Sequence, residues 1–308
     1  MDIKQLEYFV RVAELGSFTR ASQALGVAQP ALSRQIRLLE VELRQNLLTR
    51  NGRGALPTEA GQLLLEHGRG ILHQMALARE ELGRARGALA GHAAISLPPS
   101  LSRLVTVPLT RALRQAMPDA QFSLKEGFSV LMLDALRMGS LDLALLYNPP
   151  ESPEIELQPI YDDPLVLVAH RGSAAAGEGG ALRLAQVAEL PLVLPSRPNA
   201  FRLLIEREMG LIGRRPQVVM EVDGLNGILG LVQDELGAAV LPAYTLAHFE
   251  DAQQFVLRPI HGPRLMCELV LAMSAYRPLT ATQQQVVSVL RQVVLAAMQP
   301  YGALTASA

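Results

Sequence analysis

The 308-residue chain is 49% hydrophobic and 19% charged, enough apolar material for packed cores in two or three globular domains. Its formal net charge of −1 and single cysteine, Cys267, exclude a uniformly basic polypeptide and an internal disulfide or cysteine-pair redox sensor. No apolar run approaches bilayer length and the first residues lack a signal peptide's apolar segment, so a cytoplasmic protein with no membrane contact is expected.

The chain begins with an amphipathic helix carried by Ile3, Leu6, Phe9, Val10 and Ala13. Ser17 then caps a short helix with Ala21, Ala24 and Leu25 on one face, and Gly26 stops it. Pro30 suits the first turn of the next helix, in which Leu32, Ile36, Leu39 and Leu43 form a core-facing stripe. Gln29, Ser33, Arg34 and Arg37 are left on the other side. Amide, hydroxyl and guanidinium groups on one helical face match base-edge acceptors and phosphates in a major groove, so the pair reads as a helix-turn-helix. Leu47 to Thr58 follows as a small hairpin around Asn51-Gly52, a wing whose tip carries Arg50 and Arg53. Up to Thr58 there are eight Lys and Arg against five Asp and Glu, so the front end is net +3 and the remainder −4. Thr19 and Pro30 complete the predicted DNA-facing set of Thr19, Gln29, Pro30, Ser33, Arg34, Arg37, Arg50 and Arg53.

These residues resemble the LysR-type transcriptional regulators. The resemblance is carried by Leu6-Glu7-Tyr8-Phe9, Gly16 to Ser22, Ala24-Leu25, Gln29 to Ile36, Leu39-Glu40, Leu43, Arg50 and Thr58-Glu59-Ala60-Gly61, and the later pattern extends it over essentially the whole chain. One departure is Ala28, where the family often has Ser, which removes a hydroxyl cap or phosphate contact. The resemblance implies binding to double-stranded DNA at an inverted-repeat operator, a homodimer with tetramers left open, a small-molecule effector, and RNA polymerase as a candidate further partner.

From 59 to 90 the chain reads as one long helix. Leu64, Gly68, Ile71, Met75, Ala78, Leu82, Ala85 and Leu89 alternate in steps of four and three, the seam of a coiled coil through which two subunits pair. The expected organisation is multidomain α+β. It comprises a winged helix-turn-helix over 1–58, a linker and dimerisation helix over 59–90 with Leu64, Ile71, Met75, Ala78, Leu82 and Leu89 at the interface, and a two-lobed α/β effector domain over 91–308. Lobe one takes in about 91–162 and 268–308, lobe two about 163–267.

Past Gly91 strands and helices alternate: strands at 92–97, 121–126, 141–146, 165–169, 192–194, 218–222, 238–241 and 264–274, and helices at 100–117, 130–138, 198–209, 226–235 and 280–298. Gly172 to Gly180 reads as a flexible surface loop. Two such lobes resemble periplasmic solute-binding proteins and the LysR effector domain. Each opens with strand, proline, serine, helix, at Leu97-Pro-Pro-Ser100-Leu-Ser102 and Leu194-Pro-Ser196-Arg-Pro-Asn199-Ala-Phe201. Facing helix N-termini suit a small carboxylate. Ser100, Ser102, Ser129, Tyr147, Ser196, Asn199 and Phe201 are therefore the expected effector residues, matching positions that line the effector site in the LysR family; each could equally be a helix cap. The six histidines, His67, His73, His92, His170, His248 and His261, are scattered, with no metal-ligand spacing, nucleophile elbow or cofactor fingerprint, so no metal, cofactor or catalytic residue is expected. The alternative is a solute-binding protein or enzyme on the same lobes with the front domain used for oligomerisation. It leaves the Gln29 to Arg37 face unexplained. Effector, target genes and the sign of control stay open.

Overall fold

Asp2 and Gln5 start the first helix as a reciprocal capping box, each side chain satisfying a backbone N–H that the helix leaves unpaired. This helix, α1 (Ile3–Leu15), is followed by α2 (Phe18–Leu25) and α3 (Gln29–Leu43), then by strands β1 (Leu48–Asn51) and β2 (Gly54–Pro57) and the long α4 (Glu59–Gly83). The computed structural model describes residues 1–51, 54–83, 91–178 and 180–306. The chain divides into an N-terminal unit that runs through α4 and a C-terminal unit that holds the rest, except that residues 135–141 group with the first.

In the N-terminal unit Phe9, Val12, Ala21, Leu32, Ile36, Leu39 and Leu47 form a closed core. Leu32, Ile36 and Leu39 are at most 1% exposed, each contributing about 1.5–3 kcal/mol through burial. Two expected core positions differ: Leu43 is 37% exposed at the end of α3, and Ala24 faces solvent. The seam of α4 differs too. Leu64, Leu65 and Leu72 pack on this core, and a Cβ at Gly68 would lie 2.9 Å from Val10 and 3.0 Å from Leu6, so the first half of α4 is seated on α1. The helix therefore has a partner in its own unit, contrary to the expectation from its length. Ile71 and Ala78 are exposed and Met75 half-buried. The side chain of Leu82, and all of Leu89, lie outside the described residues.

The C-terminal unit is built from two strand-helix-strand-helix-strand runs. The first is β3 (His92–Leu97), α5 (Pro99–Ala116), β4 (Gln121–Glu126), α6 (Ser129–Arg137) and β5 (Leu143–Tyr147). Strand β6 (Ile155–His170) crosses to the second region, which contains β7 (Leu182–Arg183), α7 (Leu184–Val187), β8 (Pro191–Leu194), α8 (Ala200–Leu211), β9 (Gln217–Glu221), α9 (Leu225–Gln233), β10 (Ala239–Pro242) and β11 (Phe255–His261). Strand β12 (Met266–Ser274) crosses back, and α10 (Ala281–Ala306) closes the chain. The parallel order β4-β3-β5 is repeated by β9-β8 with a parallel bridge from Leu192 to Ala238 at the start of β10. The two crossing strands pair antiparallel with each other over almost the whole of β12.

Several boundaries move for identifiable reasons. Strand β5 starts at Leu143 and not Leu141 because the buried Asp142 carboxylate accepts the Ala94 N–H at 2.7 Å. Strand β6 is 16 residues long, although Pro159, Pro164, Asp162 and Asp163 interrupt its apolar pattern. The segment 172–180 is partly ordered by packing: Ala174–Ala176 form a short 3-10 turn with Ala175 and Ala176 buried, and the Arg258 guanidinium donates to the Ala175 and Gly180 carbonyls at 3.1 and 3.0 Å. Strands β7 and β11 have no counterpart in the sequence reading.

Candidate functional site

The recognition face is set by the caps of two helices. The Ser17 hydroxyl accepts the Arg20 N–H at 3.3 Å, and Gly26 ends α2 at φ 63°, a left-handed conformation that glycine adopts without Cβ strain. Helix α3 starts at Ala28 with no side-chain cap. Gln29, Pro30, Arg34 and Arg37 are exposed, opposite the buried Leu32, Ile36 and Leu39, and Ser33 is half-buried at the edge of that face. Thr19 is exposed at the start of α2. Beyond α3 the wing hairpin pairs Arg50 with Ala55; the Arg50 side chain and Arg53 lie outside the described residues. Glu40 accepts the Leu47 and Leu48 N–H groups at 2.9 and 3.2 Å, fixing the turn into the wing.

In the C-terminal unit a cavity of about 90 Å³ lies at the carboxyl ends of the parallel strands, where an open α/β sheet places ligands. All six strands of the two runs deliver residues to it: Ser100 after β3, Ser129 after β4, Tyr147 from β5, Phe201 after β8, Gly224 after β9 and Leu241 from β10. Helices α5, α6, α8 and α9 all begin at its wall. Asn199 caps α8, accepting the Phe201 and Arg202 N–H groups at 2.9 and 3.4 Å, whereas α5 and α9 start at Pro98 and Gly224 with no side-chain cap. Four positive helix ends around one small space favour an anion. The rest of the lining is mainly apolar, and Asp223, whose carboxylate accepts the Ser196 N–H at 2.9 Å, is its one charged side chain among the described residues.

Of the seven predicted effector residues, Ser100, Ser129, Tyr147, Asn199 and Phe201 line this cavity. Ser102 does not: two residues beyond Ser100 on α5, it is turned to the Glu126 carboxylate, to which its hydroxyl donates at 2.6 Å, and to Thr106 at 2.9 Å. Ser196 is also outside the lining, since the chain turns at Pro195 and presents Pro198 and Asn199 instead. Phe128, Asp223, Gly224 and Leu225 were missed. Their signal was a second junction of the same kind in each run, Glu126-Gly127-Phe128-Ser129 and Val222-Asp223-Gly224-Leu225, where strand passes to helix through glycine.

Behind the cavity wall the Tyr147 hydroxyl donates to the Asp163 carboxylate at 2.8 Å and touches the Tyr244 hydroxyl, which also reaches Asp163 and the Ser100 hydroxyl. All four residues are buried. Burial pushes the Asp163 carboxyl up to about 7, against the opposing hydrogen bonds from both tyrosines, and raises both phenols well above their usual range. Cys267, paired with Asp163 in the β6–β12 register, is buried and its thiol is held protonated, first by burial and then by the Asp163 charge.

Residues 3–62 match the family described as bacterial regulatory helix-turn-helix protein, lysR family, and residues 86–295 match the LysR substrate binding domain. The chain is 32% identical to the nitrogen assimilation regulatory protein nac of Klebsiella aerogenes over 295 residues, covering 96% of this chain and 95% of that protein. It is 33% identical to the probable cat1 operon transcriptional activator of Acinetobacter lwoffii, covering 79% and 81%. Its fold is shared with CbnR, a LysR family transcriptional regulator, at a TM-score of 0.72 and 24% identity over 96% of this chain and 99% of that one, and with full-length CbnR complexed with its target DNA at 0.70. The chain belongs to the LysR family of DNA-binding transcriptional regulators, with an N-terminal helix-turn-helix and a C-terminal effector-binding domain.

Proposed function

We propose that the cavity at the strand ends is the effector site and that its occupant is a small anion. The observation that carries this reading is the convergence of α5, α6, α8 and α9 N-termini on one mainly apolar space with no Lys or Arg among its described lining residues. A monoanion with a compact apolar body fits such a wall, since dipoles and N–H groups can hold one charge without a counter-ion. The small volume suits a small molecule and not a large one. The buried Arg202 does not compete for the ligand, because its guanidinium is taken by Glu206 and by Glu221 at 3.1 Å.

The protein acts on DNA in the cytoplasm as a dimer, with Gln29, Ser33, Arg34 and Arg37 of α3 in the major groove of each half-site and Ile71, Met75 and Ala78 of α4 available for pairing. The exposure of the outer α3 face supports the first assignment and the open apolar positions of α4 the second. A thermal-shift screen of small carboxylates tests the effector reading. A carboxylate at a hundred times its dissociation constant stabilises the chain by about 2.7 kcal/mol. Ser129→Phe, which fills the cavity, abolishes that shift and leaves duplex binding unchanged. A shift that survives Ser129→Phe places the ligand elsewhere.

A further inference from the structure

Ser100, Tyr147, Tyr244 and Asp163 form one buried chain of oxygen atoms that begins in the cavity wall and ends at the crossing strands. Ser100 and Tyr147 line the cavity, while Asp163 sits on β6 where that strand leaves β12 for β10 and β11. The ionisable groups facing the carboxylate are Tyr147 from β5, Tyr244 from the turn after β10, Tyr161 on β6 itself and Cys267 from β12. Arg207 acts electrostatically on the Cys267 thiol. Asp163 is 3% exposed, and the side chains that donate to it are the Tyr147 and Tyr244 hydroxyls.

A carboxylate accepts and cannot donate, so when Asp163 is ionised the Tyr147 and Tyr244 hydroxyl protons turn inward to it and the Ser100 proton turns to Tyr244. The cavity then faces the lone pairs of Ser100, with a buried negative charge behind its wall. When Asp163 is protonated it donates to a phenol oxygen, and the network holds one proton more than before, which frees the Ser100 hydroxyl to turn its proton to the cavity. The two states offer opposite surfaces to an anion: one repels it, the other presents one more donor.

We propose that Asp163 is a positioning residue that couples effector binding to proton uptake, so that an anionic occupant is held when the carboxyl is protonated and weakened when it ionises. This rests on the cavity being the anion site. Its carboxyl, lifted by burial to about 7, titrates where such coupling is felt in a cell. Above the carboxyl's midpoint up to one proton is taken up per anion bound, and anion affinity falls by up to tenfold per pH unit until the midpoint of the bound form is passed.

The test follows the Asp163 carboxyl by 13C NMR in aspartate-labelled full-length protein, with the resonance assigned by its loss in Asp163→Asn. Acetate is the probe and acetamide its neutral counterpart. Acetate raises the Asp163 midpoint in proportion to the logarithm of its concentration, acetamide does not, and in Asp163→Asn acetate affinity is flat from pH 6 to 8. Tyr147→Phe keeps the ring, removes one donor to the carboxylate and raises the midpoint even without acetate, which does not depend on the Asn variant folding. Ring resonances of Phe201, which packs on Tyr147 at 4.9 Å between centroids, report occupancy separately. Acetate that moves Phe201 but not the Asp163 midpoint overturns the coupling and leaves the effector cavity standing. Acetate that moves neither overturns both, and equal effects of acetate and acetamide overturn the role of charge.

Discussion

The buried Asp163 makes the stability of the C-terminal unit depend on pH in a direction opposite to that of an ordinary paired carboxylate. Its carboxyl rises from 3.8 to about 7 on folding, because burial outweighs the hydrogen bonds from Tyr147 and Tyr244. A raised folded value means that the native state holds the proton more tightly. The favourable contribution is complete below about pH 4, declines by about 1.4 kcal/mol per pH unit from there, and is gone once pH has risen through 7, a total near 4 kcal/mol. Asp163→Asn removes the titration. The amide introduces a constant offset, since its NH2 faces phenol oxygens that previously donated, but that offset does not vary with pH. The stability difference between variant and parent should therefore move in favour of Asn by about 1.4 kcal/mol per unit between pH 4 and 7 and level off above. Urea unfolding of the full-length chain at four pH values, followed by tyrosine fluorescence in a protein without tryptophan, measures it as a difference, which cancels the other carboxylates. A difference that stays flat from pH 5 to 8 would show that Asp163 is ionised at its ordinary pH, and the argument from burial would fail.

Three further outcomes are expected. Ala28→Ser restores the missing cap of α3, whose N-cap backbone is already extended at φ −67° and ψ 131°, and stabilises the N-terminal unit by about 0.5–2 kcal/mol; a lower melting temperature contradicts it. Gly61→Ala drives a Cβ into the Leu47 carbonyl, which accepts the Thr58 N–H at 3.0 Å, and costs about 3 kcal/mol or more by displacing α4 from the wing; calorimetry showing a loss below 1 kcal/mol would remove this close approach as the reason for glycine. Arg34→Ala and Arg37→Ala each lower the salt slope of duplex binding by about one, whereas Gln29→Ala costs about 1–3 kcal/mol at particular base pairs and leaves the slope alone. Equal slopes in all three variants would take the guanidinium groups off the phosphates.

The legible parts of this fold were those whose burial repeats at a helical or strand period within a single element. The α3 stripe of Leu32, Ile36 and Leu39 and the strands His92–Leu97 and Gln121–Glu126 fall where periodicity puts them. What failed depended on a neighbour. The face of α4 at Leu64 and Gly68 has coiled-coil spacing, but spacing cannot say which partner fills it, and Leu6 and Val10 do so here. Strand β6 was hidden by its own function as a crossing strand: Pro159 coincides with the register shift opposite Leu269 and Val270, and Asp163 is tolerated inside because two tyrosines distant in sequence, from β5 and from the turn after β10, reach it. Neither partner lies within 15 residues of Asp163 in sequence, so no local pattern could announce the cluster.

The same reasoning separates Ser100 from Ser102 and shows what the cavity needs. Both sit in the first turn of α5 and both read as caps or ligands, yet the helix turns Ser102 to Glu126 and Thr106 while Ser100 meets Tyr244 at the cavity wall. Ser100 and Tyr147 thus both touch the turn after β10 through hydroxyls, and Tyr147 also meets the Phe201 ring of the second run. An occupant bearing on both runs at once can favour one spacing of the lobes only if its contacts differ between spacings. The differing contacts are those made to α5 and α6 on one side and to α8 and α9 on the other. β6 and β12 carry the chain across between the two runs, and Asp163 and Cys267 face each other on them where the buried carboxylate holds Tyr147 and Tyr244 together.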